Sequence, residues 1–405
     1  MGTLFRIAVR NVARNRRRTL ITLAALFVGV GMMVSMRGLL NGLQRALVTN
    51  LADGNTGALQ VHRAGYMKNV VSAPLSLDFP ADEVTAKIRE VPGVAATAGR
   101  IMFSGMVSAG EETIFMAAFA LDPVAERVVT PLREQVFEPG ARFFALPNTD
   151  GIVLTTDLAR SVGLKLGDEA SLLAPDRDGV LSGEPAHVAA LMNLALPGER
   201  KLGLVPLAMA QRLLKMEGRV TEIAVAVTPI ERADEVAAAL RAHLGDRYEV
   251  HTWAQVAIFV RQAMERQNFV IKVIAYAFLL LMLLGVANTM LMSVIERTRE
   301  IGTMMAVGVR RSKILGLFVM EAVTIGALGG FLGAAAGFAV TTVLGHRGLT
   351  FHFPGSAVPF VLTPFMRPAY LLQVLGMATA GAGLFALYPA FRASRLRPVE
   401  ALAGK

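Results

Sequence analysis

The chain has 405 residues, of which 54% are hydrophobic and only 18% charged, a balance that excludes an ordinary soluble globule. The absence of cysteine excludes thiol catalysis, thiolate metal sites and disulfides. A net charge of +10 raises nucleic acid or an anionic membrane as partner. Its placement selects the membrane and sets nucleic acid aside, because the basic residues crowd into three segments beside apolar runs and the remainder is slightly acidic.

The first segment, 1–18, carries Arg6, Arg10, Arg14, Arg16, Arg17 and Arg18. Leu4, Ile7, Ala8 and Asn11 share one face, which predicts an amphipathic basic helix against phospholipid headgroups. The apolar run that follows is long for a secretory signal core, and no small-x-small site closes it cleanly, so it reads as a retained anchor. Thr19–Met36 contains no charged residue, and the span extends to Leu40 if Arg37 snorkels, giving a first span over 19–40.

Residues 41–267 alternate between strand and helix patterns. Ala58–Arg63, Arg100–Ser108 and Thr113–Leu121 read as strands, with Ala81–Val91 an amphipathic helix. Gly151–Gly163 reads as a strand entering a short helix, followed by a strand at Glu169–Ala174 and a turn-rich stretch from Pro175 to Pro185. Ala186–Leu194 and Leu202–Val205 read as strands and Pro206–Glu217 as a helix; Thr221–Thr228, Arg232–Leu244 and Tyr248–His251 give strand, helix, strand. The expectation is an α+β domain of two subdomains with a mainly β insert at about 135–215.

A second span covers 268–295, and the polar stretch 296–313 follows it. In that stretch Ile301, Met304, Met305 and Val309 form an apolar stripe at helical spacing, which predicts a short helix lying along the membrane. The third span, 314–345, places Glu321 close to one end, and Gly329, Gly333 and Gly337 recur on one face where a backbone can approach. A loop at 346–367, a fourth span at 368–391 and a basic tail at 392–405 complete the chain. Lys and Arg excess in the N-terminus, in 296–313 and in the tail places all three in the cytoplasm, with 41–267 and 346–367 outside. The fold class is therefore an α-helical membrane protein with four transmembrane helices plus a large extracytoplasmic α+β domain.

No phosphate-binding G-x-x-x-x-G-K-[ST] loop occurs, the six histidines lack metal-ligand spacing, and no nucleophile–base pair stands out. The chain reads as non-catalytic, with no cofactor of its own. The stretches "RIAVRNVARNRRRT", "NTMLMSVIERTREIGTMMAVGVRRSKI", "EAVTIGALGGFLGAAAG" and "YPAFRASRLRPVEAL" resemble the FtsX/MacB-type permease superfamily of ABC transporters. Within it the chain looks most similar to the lipoprotein-releasing permeases, on "DLARSVGLKLGDEASLLAP" and "LGLVPLAMAQRLLKMEGRVTEIAVAV".

The resemblance implies a bacterial inner-membrane protein with a MacB-type periplasmic domain. Its ATPase dimer, on a separate polypeptide, would bind ATP and Mg, and a second permease of the same or a related sequence would complete the assembly. It implies that Glu296, Arg297, Thr298, Arg299, Glu300, Ile301 and Gly302 couple to the ATPase. It also implies a lipoprotein substrate and a projecting element at 175–186 that recruits a periplasmic chaperone or adaptor. Phe27, Val30, Met33, Val34 and Leu40 of the first span, with Phe278, Met282 and Met290 of the second, are the residues expected to line a lipid-binding cavity, methionine suiting varied apolar partners. The functions implied are lipoprotein extraction, efflux of amphipathic drugs, peptides or lipids, or non-transporting signal transduction to a periplasmic partner.

Overall fold

Long uncharged runs form helices wherever the backbone must satisfy its own polar groups, and the computed structural model has four such helices among its described residues, the last with Pro389 inside it. It describes residues 16–110, 112–133, 137, 150–192, 201–351 and 360–397; the expected helix at 1–18 and the end of the basic tail lie almost wholly outside them. The four helices are α1 (Arg16–Leu51), α8 (Ile258–Glu296), α10 (Arg311–Arg347) and α11 (Pro368–Ser394). At 1.5 Å per residue, α1 and α8 are over 50 Å long, well beyond the ~30 Å of bilayer hydrocarbon. Their continuation past the apolar runs has a simple cause: neither 41–51 nor 258–267 contains a proline, and the single glycine, Gly42, lies close against Thr363 and Pro364.

The chain divides into two compact units. One comprises Met1–Gln44, Met264–Leu349 and Val361–Lys405; the other comprises Arg45–Ala263 and Thr350–Phe360.

In the first unit the helices meet through their small residues. A Cβ at Gly333 would lie 2.7 Å from the carbonyl oxygen of Phe27, and one at Gly337 would lie 2.6 Å from that of Gly31. Gly329 lies against Leu26 in the same way. The glycine face of α10 is thus where α1 crosses it, and the contact is within the chain. Gly326 and Gly330, on the neighbouring face of α10, receive Ala378 and Ala382 of α11. A hydrogen bond of 3.1 Å from Thr22 to Thr289 joins α1 to α8.

The second unit is built on one nine-stranded sheet in the order β11-β1-β10-β3-β4-β8-β5-β7-β6. Its strands are β1 (Leu59–Arg63), β3 (Val94–Ala109), β4 (Glu112–Leu121), β5 (Gly151–Thr155), β6 (Glu169–Pro175), β7 (Leu181–Met192), β8 (Leu202–Pro206), β10 (Glu222–Val227) and β11 (Tyr248–Thr252). A two-stranded ladder of β2 (Phe79–Pro80) and β9 (Arg219–Val220) stands apart from it.

The sixteen-residue β3 makes the architecture. Its first half pairs with β10, and its second half pairs with β4 on one side and with β6 on the other. That last pairing closes β3, β4, β8, β5, β7 and β6 into a ring. A Cβ at Gly105 would stand 2.8 Å from the carbonyl oxygen of Leu173 on β6, so a glycine is required where the ring closes. Alternate residues point inward, among them Met116, Ala118 and Ala120 on β4 and Ala170, Leu172 and Ala174 on β6. The strands of 151–206 thereby share one sheet and one core with the rest of the unit; residues 138–149 lie outside the described range.

Helices α2 (Ala81–Arg89), α3 (Pro123–Val129), α4 (Thr156–Val162), α5 (Leu207–Leu214), α6 (Ala233–Leu244) and α7 (Trp253–Val256) connect the strands. The turn-rich stretch 175–185 is the tip of the β6–β7 hairpin. Asp176 accepts the backbone N–H groups of Asp178 and Val180, which shapes the turn. Lys215 pairs with Asp176 at 2.6 Å, Arg177 pairs with Asp78 at 3.2 Å, and the Arg177 N–H donates to Leu214. Three bonds tie the base of this tip to the end of α5 and to Asp78 beside β2, while Val180 and Leu181 at the tip itself are exposed.

Candidate coupling and binding sites

Within 296–313, where the apolar stripe predicts a short helix, the separate helix covers nine residues. Helix α9 (Thr298–Ala306) follows α8 across one non-helical residue, Arg297, whose φ of −105° and ψ of 15° turn the chain. The Thr298 hydroxyl donates back to the Val294 and Ile295 carbonyls, and Gly308, with φ of +89°, ends the segment in the left-handed conformation open to glycine. Ile301 is buried in a cluster with Val294, Ile314, Phe318, Ala390 and Ala393, with Met304, Met305 and Val309 packed against it. Glu296, Arg299 and Glu300 are exposed and Thr298 is half-buried, whereas Gly302 is buried. Of the seven residues expected to couple, three therefore present charge to solvent, Glu296 at the end of α8 and Arg299 and Glu300 on α9, and Ile301 and Gly302 seat α9 on the bundle.

Arg297 is the exception among the charges, being only 8% exposed. Its Nε donates to Glu300 at 3.0 Å, its Nη1 to Glu321 of α10 at 3.2 Å, and its guanidinium lies 5.6 Å from the Phe318 ring centroid.

The residues expected to line a lipid cavity separate into two groups. Met33 and Phe278 line an apolar groove of about 100 Å³ between α1 and α8, together with Met32, Met36, Ile274 and Tyr370. Arg37 sits at this groove, donating to Asn268 at 3.0 Å with its guanidinium 5.9 Å from the Tyr370 ring centroid. Met282 packs over Gly29. Val30 and Val34 are instead buried against Ala334, Val374 and Ala378, and Met290 is buried with Leu283 and Val286. Leu40 is buried, and Phe27 is exposed away from the groove. Helical phase explains the division: Met32, Met33 and Met36 share one face of α1, while Val30 and Val34, four apart, share the face toward α10.

A second charged centre, in the other unit, escaped the sequence reading. Arg100 of β3 forms a double hydrogen bond to Glu126 of α3 and a bond of 2.9 Å to Glu222 of β10. Arg133 lies 3.6 Å from Glu126 and donates at 2.5 Å to the carbonyl of Asn55, in the wide turn Ala52–Thr56 after α1. All four charged side chains are buried. Burial opposes ionisation of Glu126, but the charges of Arg100 and Arg133 outweigh it and hold the carboxyl below its usual range. The signal available in the sequence was a lone arginine inside an apolar strand pattern, which does not name its partners. Among the described residues no group of three or more His, Asp or Glu side chains gathers to hold a metal.

Comparison with known proteins supplies the remaining observations. The family model described as MacB-like periplasmic core domain matches residues 19–243, and that described as FtsX-like permease C-terminal matches 272–398. The macrolide export ATP-binding/permease protein MacB of Nitrobacter winogradskyi is 29% identical over 98% of this chain and 60% of its own length. The protein of the same name from Hyphomonas neptunium is 27% identical over 99% of the chain and 60% of its own length. The chain thus spans about three-fifths of these relatives. The periplasmic region of MacB from Actinobacillus actinomycetemcomitans superposes with a TM-score of 0.36 at 9% identity, covering 52% of this chain and 95% of that one.

Proposed function

This chain belongs to the FtsX/MacB-like permease superfamily of ABC transporters, and from that premise we propose that it is the membrane component of an ATP-driven exporter of amphipathic molecules. The observation that carries the reading is α9: a short helix seated by Ile301 on the bundle while Glu296, Arg299 and Glu300 face solvent, as a docking element for a separate folded partner must. The partner is an ABC ATPase dimer, which binds ATP and Mg. Its closure pushes α9, the bundle moves, and the methionine-rich groove at Met32, Met33 and Met36 changes shape around an apolar ligand. A second permease chain completes the pump, and the protein resides in the bacterial inner membrane with both termini cytoplasmic.

Efflux is placed first because the relatives named for macrolide export match nearly the whole chain. Lipoprotein extraction remains the second reading, favoured by the purely apolar lining beside Arg37, where an acyl chain with an anionic headgroup fits.

The test uses the full chain purified with its ATPase. Arg299→Glu should abolish co-purification of the ATPase and leave membrane insertion intact. A photo-crosslinking residue at Met33 should be protected by erythromycin if efflux is the function, and by a synthetic triacylated peptide if extraction is. Protection by neither, with an ATPase that still co-purifies with Arg299→Glu, overturns the proposal.

A further inference from the structure

Arg297 hangs from the end of α8, yet its side chain reaches away from that helix, to Glu300 of α9, to Glu321 of α10 and to the face of Phe318 on α10. The apolar contacts agree with the polar ones. Ile301 of α9 is fully buried among Ile314 and Phe318 of α10, Ala390 and Ala393 of α11 and Val294 of α8. Most of the buried apolar partners of α9 thus lie on α10 and α11, although the chain connects it directly to α8. The connection to α8 is one residue outside the helical conformation, which bends at lower cost than a packed interface shears.

Glu321 is 5% exposed and lies three residues, just under one turn, beyond Phe318 on α10. A buried carboxylate at a membrane-helix end is costly unless it is paired, and a charged pair of good geometry fixes one arrangement where apolar contact would tolerate several. We propose that Arg297 and Glu321 form a charged pin that makes α9 and the adjoining end of α10 move as one body, so that force applied to α9 enters the bundle directly through α10. The pair are positioning residues. The significance for transport rests on the docking role proposed for α9; the rigidity of the joint does not.

The experiment uses the cysteine-free full chain in lipid nanodiscs. Spin labels are placed at Thr303→Cys on α9 and Leu328→Cys on α10, both exposed positions. The distance distribution should be narrow, and Glu321→Gln or Arg297→Gln should broaden it at least twofold, since each removes the charge-assisted bond that joins α9 to α10. The double variant, with neither charge, should be narrower than either single variant. Where a single variant inserts poorly, Glu321→Asp and Arg297→Lys serve, and each should broaden the distribution to a smaller degree.

In the Glu321→Gln variant reconstituted with the ATPase, ATP hydrolysis should stay within about twofold of wild type while the hydrolysis response to erythromycin is lost. A merely structural pair would lower both together. Unchanged distance distributions overturn the pin, and broadened distributions with an intact drug response overturn its role in transmission. If no ATPase binds the chain, the docking reading fails, and the distances still decide the pin.

Discussion

At the scale of the residue, the outer unit depends on two buried polar centres that respond differently to perturbation. In the Arg100–Glu126–Glu222–Arg133 group, removing one charge leaves others buried and unmatched. Glu126→Gln should destabilise the unit by about 3–5 kcal/mol. The chain has a single tryptophan, Trp253, packed against the core of this unit, so urea unfolding followed by its fluorescence reads the effect directly. A loss below 1 kcal/mol would mean that the ion group contributes no net stability there.

His62 works in the opposite sense. It is almost wholly buried on β1, stacked on Tyr66 at 4.5 Å, and burial pushes its pKa below the ordinary 6.5 even though Glu222 pulls it up. A base whose folded value is depressed stays neutral in the fold while the unfolded chain takes up a proton. Its contribution is therefore complete above about 6.5 and is lost as the pH falls through the folded value. Stability read from Trp253 should decline below that point by up to about 1.4 kcal/mol per pH unit, and His62→Gln should flatten the decline. An unchanged slope in the variant would assign the acid sensitivity to other groups.

At the scale of the element, the glycines of the membrane helices are not equivalent to one another. Gly337 meets the backbone of α1 at Gly31, whereas Gly285 of α8 has open space where a Cβ would stand. Gly337→Val forces the two backbones apart and should cost about 1–3 kcal/mol or more, visible as a lowered detergent melting temperature. Gly285→Ala should be neutral or slightly stabilising, because alanine favours helix and meets nothing. Equal effects at the two positions would show that the close approach of α1 and α10 is unimportant.

The same phase logic decides the groove. The sequence marked α1 and α8 as carrying long, polarizable apolar residues, and so they do. A flat list could not say that Met33 faces the groove while Val30, three residues earlier, is held under α10 and α11.

At the scale of the whole molecule, the charge pattern predicts that the β-rich unit lies outside the cytoplasm and α9 within it. The cysteine-free background permits single-cysteine labelling. The hairpin tip is the natural reporter, but Asp176 is buried there and shapes the turn, so the exposed Asp178 is the proper site. A membrane-impermeant thiol reagent applied to spheroplasts should modify Asp178→Cys and spare Ser312→Cys until the membrane is permeabilised. The reverse pattern would invert the topology and remove α9 from reach of any cytoplasmic ATPase.

What the sequence determined by itself were the properties carried by neighbours along the chain. Four spans follow from runs of uncharged residues, α9 from an apolar stripe at a 3.6-residue period, and most strands from alternation between Gly and Pro punctuation. Element order and family membership follow from these local patterns. The tertiary structure decided every feature that joins distant residues: the closure of β3 onto β6, the pairing of Arg297 with Glu321, and the meeting of Arg100 with Glu126 and Glu222. A charged residue in an apolar pattern announces that a partner must exist, because its burial alone is prohibitive. Which of the chain's many carboxylates answers is fixed only when folding brings one of them within hydrogen-bonding distance.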